Sequence, residues 1–134
     1  IKKNEGFRCS AYKDQLGKQT IGYGHLIKET EKHLLQGKIS QEKLNKIFES
    51  DLRNSIKDFK TNYKHKHLSN RTKEVIIEMI FQLGIKNVLQ FKKFNKHIQS
   101  GKSYLAAMEM INSQWFAQTP RRVEMLIAIL IYKN

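Results

Sequence analysis

The segment from Glu5 to His25, EGFRCSAYKDQLGKQTIGYGH, restricts the possible folds more than any other part of this 134-residue chain. Gly6 follows Glu5 directly, and a residue without Cβ can take the left-handed conformation that commonly ends a helix. The sequence therefore predicts that residues 1–8 form a short helix, with Glu5 on its last turn.

The residues after this helix carry the signals of a β-hairpin. Residues 11–13 are predicted to form a strand, and residues 14–18 contain the polar and glycine residues typical of a turn. Apolar and polar residues alternate over residues 19–25, which predicts a returning strand. A hairpin is therefore expected over residues 11–27.

This hairpin would bring Asp14 and Thr20 to one end of the ribbon, turned back toward the helix that carries Glu5. Glycoside hydrolysis requires two carboxyl groups in different surroundings, one protonated to donate to the leaving oxygen and one ionised to activate water or attack the sugar. A helix C-terminus facing a cleft favours the protonated form, which makes Glu5 the candidate acid, whereas Asp14 on an exposed turn is the candidate ionised partner. The same residues also fit an ordinary helix and hairpin with no catalytic role.

A longer pattern of spaced residues connects these candidates to a known family. It reads E-G-x-R-x-x-x-Y-x-D-x-x-G-x-x-T-x-G-x-G-H, and its residues in this chain are Glu5, Gly6, Arg8, Tyr12, Asp14, Gly17, Thr20, Gly22, Gly24 and His25. The pattern resembles the active-site segment of the bacteriophage lysozymes, glycoside hydrolase family 24. The resemblance implies a muramidase in which Glu5 is the general acid, Asp14 and Thr20 position and activate the attacking water, and the anomeric carbon is inverted.

A long helix is predicted over residues 40–61, with Ser40 as its N-cap. Apolar residues follow at helical spacing: Leu44, Ile47, Phe48, Leu52, Ile56 and Phe59. Asp51 lies on this apolar stripe, where a carboxylate needs a partner. His25 at the end of the hairpin is the predicted partner, and the resemblance supports this, since phage lysozymes pair the matching residues. We expect the pair to tie the hairpin to the helix and to raise the pKa of His25.

The second half of the chain is predicted to form helices around one core. Ser69 or Asn70 begins a helix that is apolar nearly all round and stops at Gly84. One or two short helices are expected over residues 87–99 and another over residues 103–114. The last helix begins at Pro120, because a proline is tolerated at the first helical position.

Together these elements predict an α+β, mainly α, lysozyme-like fold in a single domain. A small β-hairpin lobe of residues 9–39 would be joined by the long helix to a larger helical lobe of residues 62–134 plus the N-terminal helix, with the active-site cleft between the lobes. Residues 28–37 are expected to supply a third short strand and a loop. This segment looks short for the small lobe of the family that the chain resembles.

The resemblance continues in two later blocks, residues 76–84 and 115–122. It implies four substrate-binding residues: Leu26, Phe81, Gln82 and Trp115. Arg122 would be a supporting residue that faces Glu5 across the base of the cleft and orients it, alongside the supporting pair His25 and Asp51. From the residues alone, a solvated helix end explains Gln82 equally well.

The chain is strongly basic, with 25 Lys and Arg residues against 12 Asp and Glu residues and a formal net charge of +13. Such a surface is attracted to polyanions, whether nucleic acid, anionic lipid or a bacterial envelope. Two alternatives therefore stay open beside a wall hydrolase. One is a nucleic-acid-binding protein that uses the helices around Gly84, and the other is a lysozyme-fold protein that disrupts membranes through its basic helices.

The remaining composition guides the predictions about partners. The single cysteine, Cys9, excludes a disulfide framework, and His65 and His67 lack a third metal ligand at suitable spacing. We expect no cofactor, no metal, no nucleic-acid partner and no stable membrane insertion, and we expect a monomer whose partner is bacterial peptidoglycan. An endolysin of this kind would be made in the host bacterial cytoplasm and would act on the cell wall, in the periplasm or outside the cell.

Overall fold

The computed structural model of this chain describes residues 8–13, 19–35, 37–64 and 67–132. The chain divides into two compact units, Ile1–Asn54 and Ser55–Asn134. The described part of the first unit contains a small antiparallel sheet, and the described part of the second unit is helical. This content confirms the predicted α+β, mainly helical, lysozyme-like fold class.

The sheet of the first unit has three antiparallel strands: β1 (Arg8–Lys13), β2 (Gln19–Gly22) and β3 (His25–Leu26). β2 lies in the middle and pairs with both neighbours. The pairing of β1 with β2 confirms the hairpin, but β1 begins at Arg8, which the sequence placed in the N-terminal helix. The other residues of that predicted helix, 1–7, and the predicted turn, 14–18, lie outside the described residues.

The single returning strand predicted over residues 19–25 is wrong, because the chain reverses inside it. Gly22 and Gly24 have positive φ angles of 66° and 84°, and a turn at Tyr23 and Gly24 separates β2 from β3. Glycine takes this left-handed conformation without the steric penalty that other residues meet. The third strand is therefore β3, and the part of the chain predicted to supply it forms a 3-10 helix, Glu29–Leu35, instead.

The long helix α1 spans Gln41–Tyr63 and passes from the first unit into the second. Ser40 precedes it, and the backbone N–H of Lys43 donates a hydrogen bond of 3.2 Å to Ser40 Oγ. This bond satisfies one of the donors that the first turn of a helix leaves unpaired, so the predicted N-cap is confirmed.

The core of the first unit combines one buried residue from each of three elements. Ile21 of β2, Leu34 of the 3-10 helix and Leu44 of α1 are each no more than 1% exposed and form one apolar cluster. Gly22 permits the close approach of strand and helix, since a Cβ atom built on it would lie 3.3 Å from Leu44 Cδ2. The first turns of α1 therefore pack against the central strand of the sheet.

The described part of the second unit contains the end of α1 and six further helices: α2 (Asn70–Leu83), α3 (Ile85–Leu89), α4 (Lys92–Gln99), α5 (Ser103–Ile111), α6 (Gln114–Gln118) and α7 (Pro120–Tyr132). α2 is central to its core, with four residues between 0 and 3% exposed: Val75, Ile76, Met79 and Ile80. Ser69 caps α2 by accepting a 3.2 Å hydrogen bond from Thr72 N–H, and Gly84 ends it with a φ of 84°. Both predicted ends of this helix are confirmed.

The helix predicted over residues 103–114 ends early, at Ile111. Ser113 explains the break, because its Oγ accepts a hydrogen bond of 3.1 Å from Phe116 N–H and so caps the next helix, α6. A serine side chain that bonds to nearby backbone groups competes with continuation of a helix. The predicted helix is therefore three residues shorter than expected, and α6, which was not predicted, follows it.

Candidate active site

Thr20 is the candidate catalytic residue that lies within the described part of the chain; Glu5 and Asp14 lie outside it. Thr20 occupies the middle strand and pairs with Tyr12 of β1 on one side and Leu26 of β3 on the other. Its side chain is 2% exposed. Because Thr20 is β-branched and held by strands on both sides, its hydroxyl has a well-defined position.

The face of the sheet that carries Thr20 combines polar, aromatic and apolar groups. Residues directly opposite each other in antiparallel strands project to the same face, so Tyr12 and Leu26 flank Thr20. The Arg8 guanidinium lies 4.7 Å from the centre of the Tyr12 ring, a cation–π contact. Leu26, a predicted substrate contact, is 44% exposed and is therefore accessible. A threonine hydroxyl on this face can donate one hydrogen bond and accept two, as a residue that positions water must.

On the opposite face, His25 joins β3 to both neighbouring elements. His25 Nδ1 lies 2.7 Å from Asp51 Oδ2 on α1, and His25 Nε2 lies 3.0 Å and 3.2 Å from the two carboxylate oxygens of Glu31 on the 3-10 helix. A carboxylate only accepts hydrogen bonds, so both ring nitrogens donate and the ring is the imidazolium. The predicted contact of His25 with Asp51 is confirmed, and Glu31 is a second partner that the sequence analysis missed.

The surroundings shift the pKa values of two of these groups. Burial by itself lowers the pKa of His25, but hydrogen bonds and opposite charges from Asp51 and then Glu31 outweigh it, so the pKa is raised above 6.5. Burial by itself raises the pKa of Glu31, but the backbone N–H of Lys28, at 3.0 Å, and the bond and charge of His25 lower it below 4.5. Both shifts favour the charged forms, so the cluster is an ionic one.

This ionic cluster positions the strand that carries Thr20. His25 pairs with Ile21 across the β2–β3 ladder, one residue from the pairing of Thr20 with Leu26. The cluster therefore fixes β3 against the 3-10 helix and α1 directly behind Thr20. His25 and Asp51 therefore lie where supporting residues are expected, behind Thr20. Their effect on catalysis stays a prediction.

In the second unit, Gln82 is held by a side chain and is not a solvated helix end. Gln82 Nε2 donates to Thr119 Oγ1 at 3.4 Å, and Thr119 Oγ1 donates to the carbonyl oxygen of Trp115 at 3.2 Å. Within the described residues, the buried Gln82 Oε1 has no hydrogen-bond partner. A buried amide oxygen without a partner is unfavourable, and a substrate N–H or O–H group would satisfy it. The role of Gln82 in binding substrate stays a prediction, and so does that of the half-buried Phe81.

Trp115 occupies the core of the second unit. Its side chain is 4% exposed, and its ring lies 6.2 Å from the ring of Phe91 in an edge-to-face contact. Trp115 therefore packs in the core, and its role in binding substrate stays a prediction. Arg122 is half-buried on the first turn of α7. Its predicted partner Glu5 lies outside the described residues, so its orienting role also stays a prediction.

The described residues contain no group of three His, Cys, Asp or Glu side chains that could hold a metal ion. Among the same residues, no helix has the length and apolar character that crossing a bilayer requires.

Comparison with known proteins identifies the family. The family model described as phage lysozyme matches residues 2–128. The chain belongs to the phage lysozyme family. Membership of this family supports a peptidoglycan-hydrolysing lysozyme, a glycoside hydrolase.

Three relatives show how far the similarity extends. Probable T4-type lysozyme 1 of Dictyostelium discoideum is 36% identical over 153 residues, covering 97% of this chain and 90% of that protein. Probable T4-type lysozyme 2 of the same organism is 36% identical over 152 residues, covering 96% and 89%. The pre-baseplate central spike protein Gp5 of Enterobacteria phage T4 is 28% identical over all of this chain, which matches 27% of that longer protein.

The alignments with the two Dictyostelium relatives are longer than this chain. They extend over 153 and 152 residues, whereas the chain has 134, so both relatives contain residues that have no counterpart here. The described part of the link between β3 and α1 contains the helical segment Glu29–Leu35, which is kinked at Glu31. The expectation that the small lobe is short for its family stays a prediction.

Proposed function

We propose that this protein is an endolysin, a muramidase that hydrolyses the β-1,4 bond between N-acetylmuramic acid and N-acetylglucosamine in bacterial peptidoglycan. In this reaction Glu5 protonates the glycosidic oxygen, while Asp14 and Thr20 hold the attacking water on the opposite face of the sugar. Because that water displaces the leaving group directly, the anomeric carbon is inverted.

The observation that carries this proposal is the family match over residues 2–128, a span that includes Glu5, Asp14 and Thr20. The position of Thr20 supports it. The hydroxyl is fixed on the middle strand of the sheet, braced from behind by the charged cluster of His25 and Asp51. Catalysis by a positioned water depends on such fixed placement, because reacting atoms must be held in a near-attack geometry.

An inverting mechanism requires a certain distance between the two carboxyl groups. Those of Glu5 and Asp14 must lie about 6.5 to 9.5 Å apart to leave room for the water, whereas about 5 Å would indicate a covalent glycosyl intermediate. The inverting assignment rests on the resemblance of the segment around Thr20 to the family's active site.

We further infer that the enzyme is made in the host cytoplasm and acts as a monomer on the cell wall, in the periplasm or outside the cell. The formal net charge of +13 supports this, since a basic surface is attracted to an envelope rich in phosphate and carboxylate. A nucleic-acid-binding function would use the same charge but would give Glu5, Asp14 and Thr20 no role at their spacing.

The decisive experiment is clearing of purified peptidoglycan, with release of reducing sugar ends, by the parent chain and by Glu5→Gln. We expect the variant to lose at least about a hundredfold in rate, since a general acid contributes that much or more. Glu49→Gln is the matched control, because it makes the same chemical change at an exposed position on α1. A folded Glu5→Gln variant that still clears at the parent rate would exclude this reaction.

The stereochemistry is tested separately by proton NMR of the first product formed. Cleavage of a β-linked substrate with inversion releases the α-anomer before mutarotation mixes the two forms. Early appearance of the β-anomer would instead establish retention, and Asp14 would then be assigned as a nucleophile.

A further inference from the structure

A pocket of about 300 Å³ opens in the second unit, between the last turn of α1, Leu89 at the end of α3 and helix α4. Asn62 and Tyr63 line it from α1, and Lys92, Asn95, Lys96 and Gln99 line it from α4. None of these residues belongs to the segments that resemble the family's active site. The proposed hydrolysis of peptidoglycan therefore leaves this pocket without a function.

The spacing of Lys92 and Lys96 on α4 places their two positive charges beside the same pocket. Lys92, Lys96 and Gln99 are separated by four and three residues, so they lie along one face of the helix. The two ammonium groups therefore flank one opening, and the amide of Gln99 follows them one turn later. These groups supply hydrogen-bond donors to anything that enters the pocket.

The floor of the pocket is a fixed hydrogen-bond network. Asn95 Nδ2 donates to the carbonyl oxygens of Val88 and Phe91, at 2.9 Å and 3.0 Å. These two acceptors determine the orientation of the amide, so Asn95 Oδ1 must be the atom that accepts from the Tyr63 hydroxyl. Tyr63 is 4% exposed, and its ring stacks on Phe59 with centres 5.3 Å apart. The pocket is therefore preformed, which reduces the entropy lost when a ligand binds.

The side of the pocket formed by α4 carries positive charge without a nearby acidic residue in the sequence. The sequence from residue 79 to residue 108 contains five lysines and no Asp or Glu. Neither Lys92 nor Lys96 takes part in any of the ion pairs formed by the described residues. Two like charges one helical turn apart repel each other, and a bound anion would remove this repulsion.

We propose that the pocket binds a phosphate group carried on a small polyol, such as a glycerol phosphate unit of an anionic envelope polymer. Lysine ammonium groups bind phosphate oxygens as point charges, and hydrogen bonds between ionised groups are the strong ones. A volume of about 300 Å³ is at the lower end for ligand sites, which suits one phosphate with a small attached group. The amides of Asn62 and Gln99 would then bond to the polyol hydroxyls.

This site would hold the enzyme on the envelope through a specific contact instead of general attraction alone. Binding of a phosphate group does not depend on the proposed muramidase activity, whereas the choice of an envelope polymer as its source rests on that function.

The test is an NMR titration of the whole chain with sn-glycerol 3-phosphate and, separately, with inorganic phosphate. We expect saturable shifts in the side-chain amides of Asn95 and Gln99. Lys92→Gln/Lys96→Gln should weaken binding about tenfold or more, because two charge-assisted contacts are lost. The matched control, Lys38→Gln/Lys43→Gln, removes the same charge from exposed positions in the first unit and should change affinity less than about twofold.

Equal weakening by both double variants would overturn the site, since general charge would then explain the binding. Absence of saturable binding to either phosphate compound would overturn it as well. NMR shifts confined to residues outside the pocket would overturn the site too.

The source of the phosphate is tested with three larger probes: short poly(glycerol phosphate), single-stranded DNA and phosphatidylglycerol vesicles. We expect the polyol polymer to bind most tightly and to lose affinity in Lys92→Gln/Lys96→Gln. Tighter binding of DNA or vesicles through the same two lysines would overturn the polymer assignment. Glu5→Gln should bind glycerol phosphate like the parent chain, so failure of this proposal and failure of the proposed function are distinguishable.

Discussion

Both ring nitrogens of His25 form hydrogen bonds with carboxylates, and the stability of the fold therefore depends on pH in a defined way. Because its folded pKa is raised above 6.5, the stabilisation is complete below about pH 6.5 and is lost as the pH rises through the raised value. The folded pKa of Glu31 is lowered below 4.5, so its contribution is present above about pH 4.5 and is lost as the pH falls through the lowered value. The cluster therefore stabilises most between these two limits.

Replacing His25 by Asn should lower the free energy of unfolding by about 1–3 kcal/mol near pH 5.5, because two partly buried carboxylates lose their cation. The loss should be smaller near pH 9, where a larger fraction of the parent histidine is neutral. Urea denaturation at the two pH values measures both differences. The exposed His33 provides the control variant, His33→Asn, and an equal loss for His25→Asn at both pH values would show that packing, not charge, is responsible.

Substitutions of Thr20 can separate its contribution to the fold from its contribution to the proposed reaction. Thr20→Val removes the hydroxyl and keeps the β-branched shape that strands favour, so the sheet should form. The rate of peptidoglycan hydrolysis should fall by about a hundredfold, the loss that misplacing a reacting group can cause. Thr20→Ser keeps the hydroxyl and should recover part of the rate. The readout is kcat together with a thermal melt, and a Val variant as active as the parent would remove Thr20 from the proposed mechanism.

The residues of this region differ in how well sequence could predict them. Asp51 was predictable because a carboxylate on an apolar helical stripe must have a partner, and His25 was available at the end of the hairpin. Glu31 was not, because its contact depends on a 3-10 helix that carries no clear periodic signal in the sequence. Gln82 was ambiguous for a similar reason, since its partner Thr119 lies 37 residues away.

Among the elements, the contact between β2 and α1 depends most on one residue type. Gly22 has a φ of 66°, and an added Cβ would lie 3.3 Å from Leu44 Cδ2. Gly22→Ala should therefore lower the free energy of unfolding by about 2–4 kcal/mol, from backbone strain and overpacking together. Gly37 is the matched control, because its φ is 76° and an added Cβ meets nothing within 4 Å, so Gly37→Ala should cost about 1 kcal/mol.

A double variant separates the two parts of this effect. Adding Leu44→Ala to Gly22→Ala removes Cδ2, the atom closest to the new methyl group, and leaves Leu44 Cβ at an ordinary contact distance of 3.6 Å. The cost of Leu44→Ala should therefore be smaller in this background than in the parent chain. Chemical denaturation of the four proteins gives the coupling energy. Additive losses would mean that backbone conformation alone accounts for the glycine.

The elements predicted correctly are those whose ends carry local chemistry. Ser40 and Ser69 cap their helices, and Gly84 ends one, through contacts with residues no more than four positions away. The errors arose where a second local signal competed with a periodic pattern. Gly22 and Gly24 divided a strand, and Ser113 capped a new helix just before the predicted end of the one preceding it. Periodicity alone could not show which signal would prevail.

In the whole molecule, the residues that the resemblance implies for the site are far apart in the chain, from Glu5 to Arg122. Propensity and periodicity predicted the helices and the hairpin, but they contain no information on which helix end meets which strand. The predicted site therefore depended on the spaced pattern that ends at His25, which the family match over residues 2–128 now supports.

The net charge of the whole chain leads to a prediction about substrate. With a formal charge of +13, attraction to an anionic wall should be long-ranged at low salt and screened at high salt, as the Debye length falls from about 10 Å at 0.1 M to about 3 Å at 1 M. KM for peptidoglycan should rise about tenfold between about 0.05 M and 0.5 M salt, while kcat changes less than about twofold. The value of kcat is the internal control, because the rate after binding does not depend on attraction to the wall. A fall in kcat as large as the rise in KM would mean that salt acts on the fold or on the catalytic groups, and not on attraction to the wall.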